Sequence, residues 1–214
     1  MITLTILALT IGFSVYAMSD AEVKHKYIFH PYSIKYHNQH YRFLSHAFLH
    51  GDYLHLAFNM YALWMFGPVV EEQILPMLTG EYGNPNKKMG IVFYILLYTG
   101  AIYAASLSEY VKNKNKSFYT SLGASGAVNA LIFTFITCSP LTHLGFFFIP
   151  MPAWLFGLLY LGISYYLSKR KQNNSDVDNI GHEAHFWGAI FGILFTLALG
   201  LCNQEVYLKL IKYH

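Results

Sequence analysis

Six stretches of this chain stay apolar for 17 to 22 residues at a time, and stretches of that length leave few folds open. They are residues 2–18, 53–70, 89–107, 122–139, 146–167 and 184–202. A bilayer core about 30 Å thick takes roughly 20 apolar residues per helix, so each reads as a membrane span. Charged residues make up only 12% of the 214, against about a quarter in an ordinary soluble domain. That excludes a disordered tail and a nucleic-acid binder built on basic patches. The formal charge of +3 is too small to point to a polyanionic partner. The expected fold is all-α: one polytopic domain over 1–214, a bundle of six spans whose first partner is the lipid bilayer. Cys138 and Cys202 sit in apolar runs and read as buried thiols. Residues 2–18 lack the positive flank of a signal peptide and read as a helix of the bundle.

Polar segments separate the spans. Residues 20–50 hold six of the eleven histidines, at positions 25, 30, 37, 40, 46 and 50. Gly83-Asn84-Pro85-Asn86 is a turn signal. KNKNK at 112–116 and SKRKQNNSDVDN at 168–179 form the third and fifth loops. Histidines 25, 30, 37 and 40 fit no metal-ligand spacing and read as surface or interfacial groups. Neither a metal nor a cofactor is implied.

Polar side chains inside spans are costly and mark functional positions. His55 and Asn59 in the second span lie four apart, on one helix face. Ser125 and Asn129 repeat that spacing in the fourth span, and the sixth opens with Gly181-His182-Glu183-Ala184-His185. With six spans, the second, fourth and sixth all start from one side. His55, Ser125 and His185 then share one shallow layer, although 70 and 60 residues separate them in sequence. Gly188 and Gly192 share the His185 face, and Gly123, Ala127 and Ala130 form a small-residue ridge beside Ser125. Such residues let membrane helices approach closely.

A serine needs a base to take its proton as it attacks. His185 is the nearest candidate, with an ordinary pKa suited to neutral pH. No carboxylate lies within these spans except near their ends, so the chemistry reads as a Ser125–His185 dyad. Backbone N–H groups at the start of the fourth span, with His55 and Asn59, are candidate donors to an oxyanion.

Singly, each residue has a plain structural explanation: a packing histidine, an interhelical amide, a serine bonded to its own backbone. Gly123-Ala124-Ser125-Gly126 alone is a modest signal. His182-Glu183-x-His185 is one residue short of a zinc-protease signature, and its histidines do not share a helix face. Glu183 and Asp178 read as solvated loop charges, with assistance to His185 as the second reading.

The ordered set is more specific. His46-x3-His50-x4-His55-x3-Asn59, then GASG, then Ala184-His185-x2-Gly188-x3-Gly192 resembles the rhomboid family of intramembrane serine proteases, over nearly the whole chain. The resemblance implies Ser125 as nucleophile and His185 as general base. It implies an oxyanion hole from His55, Asn59 and the Ser125 amide. Tyr41-Arg42 is similar to an aromatic–Arg pair near the start of the family's first loop, and His46 and His50 to residues that structure that loop. Glu71 matches a glutamate bracing the end of the second span. Position 129 departs from the family pattern. It is usually an aromatic packed on the catalytic histidine, and here it is asparagine.

The implied activity is endoproteolysis of single-span membrane proteins, in the manner of a bacterial inner-membrane enzyme. Loop 5 and the fifth span, with Pro150 and Pro152 near its start, would act as cap and gate. Two other readings are a catalytically inactive relative that binds membrane clients, favoured by Asn129, and a small transporter. A transporter would carry mid-depth polar groups and inverted repeats, which the sequence lacks. Charge counting opposes the family on sidedness. Loops 1, 3 and 5 hold ten Lys or Arg residues against four elsewhere, which would make that face cytoplasmic. The family places the site outside, and its motifs outweigh the count.

Overall fold

A computed structural model of the chain describes all residues except 82, 147, 148, 174–180 and 214. Helix α1 (Ile2–Ser19) leads into three short helices, α2 (Ala21–Tyr27), α3 (Pro31–His37) and α4 (Arg42–Ser45). Helix α5 (Tyr53–Val69) continues through a π-helical turn (Val70–Ile74) into α6 (Leu75–Leu78). Then come α7 (Lys87–Asn113), α8 (Ser125–Cys138), the strands β1 (His143–Phe146) and β2 (Ile149–Pro152), α9 (Ala153–Asn173), α10 (His182–Cys202) and α11 (Gln204–Tyr213). The helix starts follow local chemistry. Asp20, Asp52 and Asn86 each sit at an N-cap and accept from backbone N–H groups of the first turn, satisfying donors that the helix itself cannot.

Among the described residues, α1, α7 and α10 are long and apolar enough to cross a membrane. Two predicted spans are revised. Helix α8 has 14 residues, about 21 Å at 1.5 Å per residue, so it is shorter than a bilayer core. Phe146 and Ile149–Pro152 do not open the fifth helix; they belong to the antiparallel strands β1 and β2, and α9 starts only after Pro152. Proline has no N–H for a helix or ladder and disfavours helix in the residue before it. Pro150 lies within β2, opposite Gly145, and Pro152 is the last residue of the strand, where the helix then begins. The N–H groups of Ala153 and Trp154 are taken by the carbonyls of Thr142 and Pro140 at 2.8 and 3.0 Å.

Helix α8 is the hub, packed against α5, α7, α9 and α10. The contact with α10 is backbone on backbone. A Cβ on Gly188 would lie 2.2 Å from the Gly126 carbonyl oxygen, and one on Gly192 would lie 2.4 Å from that of Ala130. The ridge on α8 is therefore Gly126 and Ala130, a register shifted from the predicted Gly123, Ala127 and Ala130. Farther along the same seam, Thr196 Oγ1 donates to Thr134 Oγ1 at 3.0 Å.

Helix α1 is locked to the bundle by Glu71, only 5% exposed. Its carboxylate accepts from the N–H groups of Ile2 and Thr3 at 2.6 and 2.8 Å and from Thr3 Oγ1 at 2.7 Å. An anion at a helix N-terminus is favourable, and here it joins α1 to the far end of α5. Large side chains such as Phe58, Trp64, Leu158 and Leu194 point outward from the bundle. Cys138 is buried, but Cys202 is exposed. An apolar neighbourhood in sequence marks lipid-facing surface as readily as core in this kind of fold.

Candidate active site

Residues 20–50, read as a loop, are a folded scaffold beneath the serine. Arg42 is buried, and its guanidinium donates to the carbonyls of His25 and Ile28 at 2.9 and 2.6 Å and to Gln39 Oε1 at 2.6 Å. Tyr41 donates to the Lys26 carbonyl at 3.0 Å. This clamp sets Phe29, which exchanges two backbone hydrogen bonds with Ser121 and lies against the His46 ring, with centroids 5.1 Å apart. The His46 carbonyl then accepts from the Gly123 N–H at 3.0 Å. Residues 121–123, which lead to the serine, thus hang on Phe29 and His46. The Phe29 role has no local sequence signal.

The rings of His46 and His50 are embedded in this scaffold. Burial pushes the His46 pKa down to about 4, opposed only by the nearby Phe43 carbonyl, which does not reach hydrogen-bond geometry with the ring. Burial likewise lowers His50 to about 3, aided by the neighbouring His55 and opposed by Asp52. His50 Nδ1 lies 2.9 Å from Ser14 Oγ, which donates to the Phe48 carbonyl at 2.8 Å. Its ring meets that of His55 edge-on at 4.9 Å. Histidines 25, 37 and 40 are exposed, as their irregular spacing suggested.

Ser125 is the first residue of α8. Ala124 precedes it and offers no side-chain cap. The first intrahelical bond is Val128 N–H to the Ala124 carbonyl, so the N–H groups of Ser125, Gly126 and Ala127 have no acceptor inside the helix. Such an end is an anion-binding geometry. On one side stands His55, in the first turn of α5. A Cβ on Gly123 would come within 3.0 Å of His55 Cε1 and 3.2 Å of Nε2, and Gly123 has a φ of +126°. Only glycine meets both conditions. Asn59, one turn further on, donates one amide N–H to the His55 carbonyl at 3.1 Å, which leaves its second N–H.

On the other side stands α10. A Cβ on Gly126 would lie 3.5 Å from the carbonyl of Ala184, the residue before His185. The Gly126–Gly188 contact thus places the first turn of α10 alongside the first turn of α8. Glu183 is an ion-pair partner and not a solvated loop charge. It accepts from Ser108 and from Lys112 Nζ, the latter at 2.5 Å, tying the start of α10 to α7. Asp178 and the second half of loop 5 lie outside the described residues.

No ring at position 129 packs on His185. The ring stacked there is Tyr160 of α9, with centroids 6.4 Å apart and planes 23° apart. Nothing in the local sequence announced that residue.

The Rhomboid domain matches residues 37–202 of this chain. RHOMBOID-like protein 12, mitochondrial, from Arabidopsis thaliana is 32% identical over 149 residues, covering 68% of this chain and 42% of the relative. Presenilin-associated rhomboid-like protein A, mitochondrial, from Danio rerio is 25% identical over 175 residues, covering 78% and 39%. Rhomboid protease GluP from Bacillus subtilis (strain 168) is 26% identical over 168 residues, covering 78% and 28%. The chain spans less than half the length of these curated relatives.

Proposed function

Since the chain belongs to the rhomboid family, whose fold is a multi-pass membrane helical bundle, we propose that it is a serine endopeptidase cutting transmembrane-helix substrates in or near the bilayer. We read α1, α5, α7, α8, α9 and α10 as the six spans, the fourth short and the fifth starting after the hairpin, with Ser125 as nucleophile and His185 as general base. The observation that carries the reading is the surrounding of one serine: it opens α8 with uncapped N–H groups, with His55 against Gly123 and the start of α10 against Gly126.

In this reading Ser125 Oγ attacks the scissile carbonyl carbon while His185 takes its proton. The carbonyl π electrons move to oxygen, and the oxyanion meets the Ser125 N–H, His55 and the second N–H of Asn59. His185 then protonates the departing amine as the C–N bond breaks. Water, deprotonated by the same imidazole, cleaves the acyl ester and restores the hydroxyl. Substrates are single-span proteins whose helices open locally, because a helical backbone keeps its carbonyls hydrogen-bonded. The bacterial inner membrane is the location we carry forward from the sequence.

The test is cleavage of a single-span substrate co-reconstituted with the protein in liposomes. Wild type should cut it, and Ser125→Ala and His185→Ala should not. Binding of the substrate without any cleavage by the wild type would favour the client-binding alternative.

A further inference from the structure

We propose that Tyr160 positions the His185 imidazole, and that Asn129 acts by holding the Tyr160 hydroxyl; the inference rests on the protease reading above.

The two rings are stacked, 6.4 Å between centroids and 23° between planes, within the range of attractive offset arrangements. The tyrosine is fixed from several sides. Its hydroxyl is hydrogen-bonded by the side chains of Asn129 and Ser164. Its ring meets Phe133 of α8 at 5.8 Å and Phe156, one turn earlier on α9, at 5.9 Å. Asn129 and Ser164 are each only 4% exposed. A buried amide is costly without partners, and the Tyr160 hydroxyl is a partner for this one. Asn129 also sits one turn after Ser125 on α8. The links therefore run from the nucleophile's helix, through Asn129, to Tyr160 on α9, and on to His185 on α10.

A general base must hold its nitrogen about 2.6–3.2 Å from the hydroxyl it deprotonates. In hydrolases with a triad, a carboxylate sets the ring orientation. The carboxylate nearest in sequence, Glu183, is engaged by Ser108 and Lys112. A stacked ring restricts the imidazole by its face. Tyr160 is thus a positioning residue and not a catalytic one.

The experiment is a kinetic double-mutant cycle on the full chain in detergent, with Tyr160→Leu, Tyr160→Phe, Asn129→Ala and Asn129→Ala/Tyr160→Phe. Rates are read both by substrate cleavage and by fluorophosphonate labelling. Tyr160→Leu should lower kcat by roughly 10- to 100-fold, part of the 10²–10⁴ that a general base supplies, with KM within about twofold. Tyr160→Phe keeps the stack and should recover most of that loss. Asn129→Ala should slow the tyrosine-containing protein severalfold and have no added effect in the Tyr160→Phe background.

If Tyr160→Leu fails to fold, the Asn129/Tyr160→Phe pair decides. Equal Asn129→Ala effects in both backgrounds would overturn the proposal, as would a Tyr160→Leu protein with full kcat. A wild type that neither cleaves nor labels would instead overturn the protease reading itself.

Discussion

Gly188 on α10 lies so close to Gly126 on α8 that a Cβ on Gly188 would stand 2.2 Å from the Gly126 carbonyl oxygen and 2.7 Å from its carbonyl carbon. The obstacle is backbone, so no rotamer change relieves it. This contact sets the first turn of α10 against the residue that follows Ser125.

Gly188→Ala should therefore force the two helices apart. Overpacking of this kind costs about 1–3 kcal/mol, and the displacement falls on the pair that must exchange a proton. The expected result is a lowered unfolding temperature in detergent and loss of cleavage. An alanine variant with wild-type stability and rate would show that the seam tolerates separation.

Gly123→Ala tests the other side of the serine. A non-glycine residue at φ +126° is strained by about 1–3 kcal/mol, and its Cβ would press on the His55 ring at 3.0 Å. The Gly123 N–H bond to the His46 carbonyl would be disturbed as well. Cleavage should fall by at least about tenfold, the scale of a partly lost oxyanion donor, while the protein still folds. Steady-state kinetics beside a melting curve check it.

The buried histidines of the scaffold give the stability a pH dependence. His46 and His50 are lowered to about 4 and about 3 by burial, whereas an unfolded chain titrates near 6.5. Below pH 6.5 the unfolded state takes up protons that the folded state refuses, so stability is full above that pH and declines as pH falls toward about 4. The slope is roughly 1 kcal/mol per pH unit for each histidine. Denaturant unfolding between pH 7 and pH 5 measures it. His46→Leu retains the carbonyl that holds Gly123 and should remove about half the slope.

Much of this architecture was legible because lipid selects long apolar runs: α1, α5, α7 and α10 begin and end within a few residues of their predicted bounds, apart from an extended α7. Apolarity alone carried no period, so the β1–β2 hairpin was hidden in a run that proline, not hydropathy, divides. The short helices α2 to α4 were illegible for another reason. They are fixed by long-range bonds such as Arg42 to the carbonyls of His25 and Ile28, which leave no local pattern. Within the site, spacing brought out His55, Asn59, Ser125 and His185. It did not bring out Phe29 or Tyr160, whose partners lie 92 and 25 residues away in sequence, at Ser121 and His185. Asn129 looked like a defect at its own position and acquires a partner only in three dimensions.

The central claim is that Ser125 is a nucleophile activated by His185. The most direct measurement is labelling of the purified, detergent-solubilised protein with a fluorophosphonate probe, with Ser125→Ala and His185→Ala alongside. The account predicts covalent labelling of the wild type and none of either variant. A wild type that stays unlabelled where an active rhomboid protease labels, or a His185→Ala variant that labels as fast as wild type, would contradict it.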